Sequence, residues 1–158
     1  PYTSALSAGT TGAPPGPVLS QAHLFHRFVN QWVTLRLNGG DRFLAATPLY
    51  FGATRAFCLS TLCAGGGIIL SGPPGDPATL VARMTDTKAT ATFVVPTLLR
   101  RLLNLDDSVL RPLQALRVLI SSGAALHAEE RTAVRARICA RSPRSALRST
   151  TMTMSGRT

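Results

Sequence analysis

The sequence predicts an α/β fold, with a largely parallel sheet covered by helices on both faces. Three observations carry this expectation. Short, wholly apolar runs alternate with longer segments of helical periodicity about five times along the chain. Such runs, apolar on both sides, are what a sheet buried on both faces requires. The 158 residues are 45% apolar and only 15% charged, enough to close one core and too apolar for a disordered chain.

Each element follows from local chemistry. Tyr2 to Leu6 reads as a short strand, and Ser7 to Pro17 as a Gly/Pro/Thr loop. Ser20 is a suitable N-cap for a helix running to about Leu37, which Asn38-Gly39-Gly40 would end. Leu24, Phe28, Trp32 and Leu35 share one face of it. Arg42 to Thr47 reads as a strand stopped by Pro48, Ala53 to Ala64 as a helix, and Gly67 to Leu70 as a buried strand. After a Gly/Pro turn over Ser71–Asp76, Pro77 opens a helix to Thr85. Ala89 to Val95 is β-rich, and Pro96 opens a helix to about Leu105. Asp106 to Pro112 reads as a polar turn, Leu116 to Ser121 as a strand, and Ala128 to Cys139 as a helix with acids first and arginines last. From Arg141 the periodicity dissolves, and no element is expected.

Charge narrows the function classes. The net charge is +10, yet seven arginines and no acid fall between Arg131 and Thr158, so the excess sits at one end. That end has no aromatic residue to stack bases, which argues against a nucleic-acid partner, although a basic nucleic-acid-associated chain stays open as an alternative. No run approaches the ~20 apolar residues of a membrane span, and no signal-peptide pattern is present. Three scattered cysteines suit a reduced, cytoplasmic setting.

The loop Ser7-Ala8-Gly9-Thr10-Thr11-Gly12-Ala13-Pro14-Pro15-Gly16 is the chief functional candidate. Its glycines let backbone N–H groups approach an anion, and its hydroxyls can donate to phosphate oxygens. It follows a strand and precedes a helix. It lacks the lysine of the common nucleoside-triphosphatase loop. On composition alone it reads equally well as a phosphate cradle or a surface turn. His23 and His26 read as a solvated helix face, and His127 as a surface residue at a helix start. Cys58 and Cys63 read as small core residues. Arg100 and Arg101 read as flanks of a solvated face, and Asp106 and Asp107 as turn acids. No residue presents itself as a catalytic acid, base or nucleophile.

Four segments in order then resemble the adenylate-forming superfamily of acyl- and aryl-CoA synthetases, luciferases and peptide-synthetase adenylation domains. Leu6 to Pro14 resembles its S-[SG]-G-T-T-G-x-P phosphate loop. Thr47-Pro48-Leu49-Tyr50-Phe51-Gly52 resembles P-L-[FY]-H-x-x-G, with Phe51 where histidine is frequent. Phe93-Val94-Val95-Pro96-Thr97 resembles its V-P-T strand end, and Ser121-Ser122-Gly123-Ala124-Ala125-Leu126 its S-G-G-A-P-L turn. The resemblance implies an incomplete piece of the large domain over residues 1–140 and an irregular Ser/Thr/Arg-rich tail over 141–158.

The resemblance also implies ATP-dependent activation of a small carboxylic acid to an acyl-adenylate, then thioester formation with coenzyme A, within a longer parent enzyme. Ser7, Gly9, Thr10, Thr11, Gly12 and Gly16 would grip the phosphates, with a hydroxyl of Thr10 or Thr11 near Mg²⁺. Gly123 and Ala124 would flank the adenine. Tyr50, Phe51, Gly52 and Ser122 would border the acid pocket, against a competing and slightly favoured reading of Tyr50 and Phe51 as ordinary core. Two departures stand out. Pro15 replaces the family's loop lysine, and Arg148-Ser149-Thr150-Thr151-Met152 stands where Y-G-x-T-E is expected. The piece alone is therefore expected to be inactive, and a non-catalytic remnant is the second reading.

Overall fold

A computed structural model describes residues 3–4, 18–72, 75–138 and 148–150. Two-residue strands β1 (Thr3–Ser4) and β2 (Val18–Leu19) pair antiparallel. Helix α1 (Gln21–Leu35) then leads to β3 (Arg42–Ala45), α2 (Gly52–Cys63), β4 (Gly67–Leu70), α3 (Pro77–Asp86), β5 (Ala91–Val94) and α4 (Pro96–Leu103). A short helix α5 (Asp107–Leu110) and a 3₁₀ turn (Arg111–Ala115) precede β6 (Val118–Ser122), α6 (Ala128–Arg137) and β7 (Arg148–Thr150). The main sheet is five-stranded in the order β4-β3-β5-β6-β7, and every pairing in it is parallel.

The period-two alternation of the strands sorts their side chains into two cores. Phe43, Ala45, Ala91, Phe93, Val118 and Ile120 face one side and pack with Leu35, Leu37, Phe57 and Cys58 from the α1–α2 side. Leu44, Val94 and Leu119 face the other, under Leu80, Val81 and Met84 of α3, Leu98, Leu99 and Leu102 of α4, and Val134 of α6. The molecule is thus a three-layer sandwich of helices, sheet and helices, as the apolar strands require. A fully buried leucine such as Leu99 contributes about 1.5–3 kcal/mol to this arrangement.

Helix starts follow their caps. The Ser20 hydroxyl accepts from the His23 amide at 3.2 Å. Asp76 Oδ2 accepts from the Thr79 amide at 3.1 Å, with Pro77 in the first turn. Glu130 accepts from the His127 amide at 2.8 Å, closing a capping box on α6. His127 is therefore the helix-start residue the sequence suggests.

Four local readings are corrected. Helix α1 ends at Leu35, because Arg36 takes the left-handed conformation (φ 55°) before the Asn-Gly-Gly run is reached. Asp106–Pro112 is helical rather than a turn, because Leu110 and Leu113 are drawn into the core. Cys63 is exposed, and only Cys58 is core; burial pushes the Cys58 thiol up to about 11. Beyond Arg141, where no element is expected, Arg148–Thr150 joins the sheet beside Ile120–Ser122. A strand on the sheet's rim needs backbone pairing more than apolar side chains, which is why composition does not announce it.

The arginines do more than line solvated faces. Arg100 pairs with Glu130 and reaches the Ala125 carbonyl at 3.4 Å, so α4 and α6 are tied together. Arg101 donates to the Gly75 carbonyl at 2.9 Å. Arg137 donates to Asp107 at 2.5 Å and to the carbonyls of Leu103 and Leu105 at 2.5 and 2.6 Å. It thereby satisfies carbonyls left open at the end of α4.

Glu130 gives a pH dependence with a defined sign. The Arg100 guanidinium, and then the His127 amide, hold its carboxyl below the usual carboxylate range. A lowered folded value means that its stabilisation is full above the ordinary glutamate range and is lost as pH falls through the lowered value. The Glu130→Gln chain should therefore differ most from the parent near neutrality, with the two converging in acid. Thermal midpoints measured from about pH 7 down to about pH 2 test this; a gap that does not narrow on acidification contradicts it.

Candidate active site

Because all five strands of the main sheet run the same way, their carboxyl ends share one edge. The chain reverses direction across the sheet at β3: β4 lies on one side of it and β5 on the other. The segment after β3 leads to α2 on one face, and the segment after β5 leads to α4 on the opposite face. The two connections diverge, and at such a switch point open α/β sheets bind ligands in the crevice between the diverging connections.

Pro48 and Phe51 close a turn on one lip of this crevice, the Phe51 amide donating to the Pro48 carbonyl at 3.0 Å. A hydrogen bond between the hydroxyls of Thr47 and fully buried Thr54 anchors that lip to α2. Tyr50 is 75% and Phe51 51% exposed. Their ring centroids are 4.7 Å apart. The core-packing reading of these two residues is therefore wrong: a tight turn after a strand points both rings outward. Gly52 opens α2 with unstrained backbone and free space around it.

The neighbouring strand β5 ends at Val95-Pro96, and beyond it stands the end of β6. Gly123 has φ +107°, a conformation that side-chain-bearing residues rarely adopt, and nothing lies within 4 Å of where a Cβ would stand. Gly123, Ala124 and Ala125 are exposed around this opening, which suits a flat ring laid against backbone. Ser122 is half-buried beside them, and β7 runs alongside, pairing Thr150 with Ser122. Ser121 is fully buried, and its hydroxyl has no partner among the described residues.

Topology thus brings two predicted groups to one edge. Tyr50, Phe51 and Gly52 stand two strand positions from Ser122, Gly123 and Ala124, a lateral span of about 10 Å. Val95-Pro96, at the end of β5, lies between them. Ser7, Gly9, Thr10, Thr11, Gly12 and Gly16 lie outside the described residues, as does Pro15. Lys88, the chain's one lysine, precedes β5, at the end of the sheet opposite the strands' carboxyl ends. His23 and His26 are exposed on α1. Among the described residues no group of three or more His, Cys, Asp or Glu side chains could hold a metal ion.

One feature of the molecule was invisible in the sequence. At the amino ends of the strands, buried Asp41 accepts from the Asn38 amide at 2.9 Å, from the Thr90 hydroxyl at 2.7 Å and from Arg117 Nε at 3.0 Å. Thr90 in turn accepts from the Arg42 amide at 3.0 Å. This network locks the edge opposite the crevice.

A family model described as "AMP-binding enzyme" matches residues 1–145. The chain belongs to the AMP-binding enzyme family. Among curated AMP-binding relatives, it is 33% identical over 129 residues to a feruloyl-CoA synthase of Amycolatopsis sp., covering 81% of this chain and 25% of that protein. The chain thus spans about a quarter of that relative's length. Among solved AMP-binding structures, ATP-bound MatB from Rhodopseudomonas palustris superimposes with a TM-score of 0.76 at 25% identity, over 93% of this chain and 28% of that one. A malonyl-CoA ligase in a ternary product complex with methylmalonyl-CoA and AMP gives 0.74 at 26% identity, over 93% and 32%. The parallel sheet and its flanking helices are therefore part of the AMP-binding fold. Among the described residues, no helix is long and apolar enough to cross a membrane.

Proposed function

We propose that this chain is the nucleotide- and acid-facing part of a ligase that activates a carboxylic acid with ATP and passes the acyl group to coenzyme A. The observation that supports it best is the convergence of three of the four family-like segments, distant in sequence, on the crevice edge. The fourth, the Ser7–Gly16 loop, is assigned by its motif. Ser7, Gly9, Thr10, Thr11, Gly12 and Gly16 hold the phosphates through amides and hydroxyls. Gly123 and Ala124 receive the adenine against open backbone. The exposed rings of Tyr50 and Phe51, with Gly52 and Ser122, border the apolar part of the acid.

In the reaction a carboxylate oxygen attacks the α-phosphorus, the bond to the bridging oxygen breaks, and pyrophosphate departs. The thiolate sulfur of coenzyme A then attacks the acyl carbon, and AMP leaves. The protein's task in the first step is to hold two mutually repelling anions together behind donors aimed at the developing charge. Mg²⁺, when bound with ATP, supplies charge neutralisation on the phosphates.

A second reading, a remnant without catalysis, is favoured by Pro15 and by Met152 near the expected acidic position. Titration calorimetry of the 158-residue chain with ATP and Mg²⁺ separates the two. Heat saturating in the millimolar range supports the ligase reading, and none at millimolar ATP supports the remnant. Acid-dependent pyrophosphate exchange by the chain alone is expected to be absent. Pro15→Lys should tighten ATP severalfold by restoring a cation to the loop; unchanged affinity removes the loop from the site.

A further inference from the structure

We infer that Arg100 is a positioning residue for the nucleotide: its guanidinium, together with Glu130, fixes the turn that leads out of β6 and thereby the backbone of Gly123 and Ala124. The inference rests on the reading of those two residues as the adenine's seat. The turn has little packing of its own to fix it. Gly123 stands at φ +107° with nothing within 4 Å of where a Cβ would be, and Ala124 and Ala125 are exposed. Its near end is held by the sheet, because Ser122 pairs with Thr150.

Its far end is held by side chains. Arg100 Nη2 donates to the Ala125 carbonyl at 3.4 Å. The same nitrogen donates to Glu130 Oε2 at 3.4 Å, and Nε donates to Glu130 Oε1. Glu130 Oε2 also accepts from the His127 amide at 2.8 Å. The contacts thus run from Ala125 through Arg100 and Glu130 to His127, on both sides of Leu126, which is buried in the core. Every group in this clamp belongs to α4, the turn or α6. Between paired Ser122 and held Ala125 lie just two residues, Gly123 and Ala124. A planar fork is needed to serve the three acceptors at once. Nε and Nη2 on one edge of the guanidinium meet both carboxylate oxygens, and the second Nη2 proton is left for the carbonyl. A lysine carries the same charge on a single nitrogen and cannot span that edge. The clamp therefore supplies preorganisation: a turn already ordered in the free protein loses little further freedom when a ring is laid on it.

Two measurements on the full chain test this: calorimetric titration with AMP, and the ¹⁵N order parameters of the Gly123 and Ala124 amides without ligand. Arg100→Lys should raise the AMP dissociation constant about tenfold, the equivalent of ordering one backbone residue. It should also drop both order parameters from the rigid range, about 0.85, to below about 0.6, with those of α4 and α6 unchanged. Arg101→Lys, one position along the same helix, should change neither, because the native side chain donates to the Gly75 carbonyl instead. If Arg100→Lys loses the native circular dichroism, Glu130→Gln decides: it replaces one of the two acceptor oxygens by a donor and should move both readouts the same way. Either readout unmoved overturns the inference, as does a loosening spread through both helices, the mark of a merely structural tie. AMP bound equally by parent and variant removes this inference alone. No AMP binding by the parent at millimolar concentration removes the proposed function, and this inference with it.

Discussion

Replacing Arg117 by alanine should lower the unfolding free energy by about 3 kcal/mol, the lower end of what is lost when one partner of a buried ion pair is removed. Asp41 is 2% exposed, so its carboxylate cannot turn to water for compensation. It keeps the Asn38 amide and the Thr90 hydroxyl, which is why the loss falls at the bottom of the range. Arg117 also donates to the Leu35 carbonyl at 3.3 Å, so the substitution frees the end of α1 as well. Against a total of about 5–15 kcal/mol for an ordinary domain, this is a large fraction. The urea midpoint should fall with little change in slope. The double substitution Arg117→Met/Asp41→Leu should cost less than Arg117→Ala, because it removes the charge that would be stranded. A single variant as stable as the parent would show that the network contributes nothing.

Gly66→Ala should be nearly as damaging, at about 3 kcal/mol, the top of the usual overpacking range. A Cβ there would stand 2.8 Å from the Asp41 carbonyl oxygen and 2.8 Å from Thr61 Cγ2, with the Asn38 carbonyl at 3.1 Å. Two of these obstacles are backbone, and the Asp41 carbonyl already holds the Gly67 amide. Thr61 is fully buried and bonded to the Phe57 carbonyl at 2.8 Å, so it has nowhere to turn. Gly67→Ala is the natural comparison, since nothing lies within 4 Å of its missing Cβ. Equal midpoints for the two variants would refute the steric argument.

Much of the fold was legible because its determinants are local. Ser20 caps, Pro77 and Pro96 open helices, and Phe43, Phe93 and Leu119 sit in short apolar runs. The candidate site was proposed in another way. The glycine at 123 and the Thr47–Gly52 segment resemble a family pattern, and the parallel sheet carries both to one edge. What stayed hidden depends on distance. Asp41 and Arg117 are 76 residues apart, and neither neighbourhood hints at the other. The helical turn at Leu110 and Leu113 was masked by three polar residues before it, although the apolar spacing through Leu116 carries the signal. Tyr50 and Phe51 show the opposite failure. Aromatic residues between apolar neighbours usually go inside, and only the turn closed at Phe51 sends them out.

The strand order has a bearing on how the chain is made. With β4 and β3 adjacent and β5, β6 and β7 following outward on one side, each strand emerging from the ribosome finds its neighbour already in place. Assembly can proceed by accretion at the sheet's rims, first β4 on one side of β3 and then β5, β6 and β7 on the other, without inserting a late strand between two early ones. The partners are nevertheless distant, Arg42 and Thr90 being 48 residues apart, and such non-local contacts slow folding in free solution. Synthesis from the amino end should therefore yield native chain more efficiently than dilution from denaturant, where unpaired rims of many copies meet before the sheet is complete.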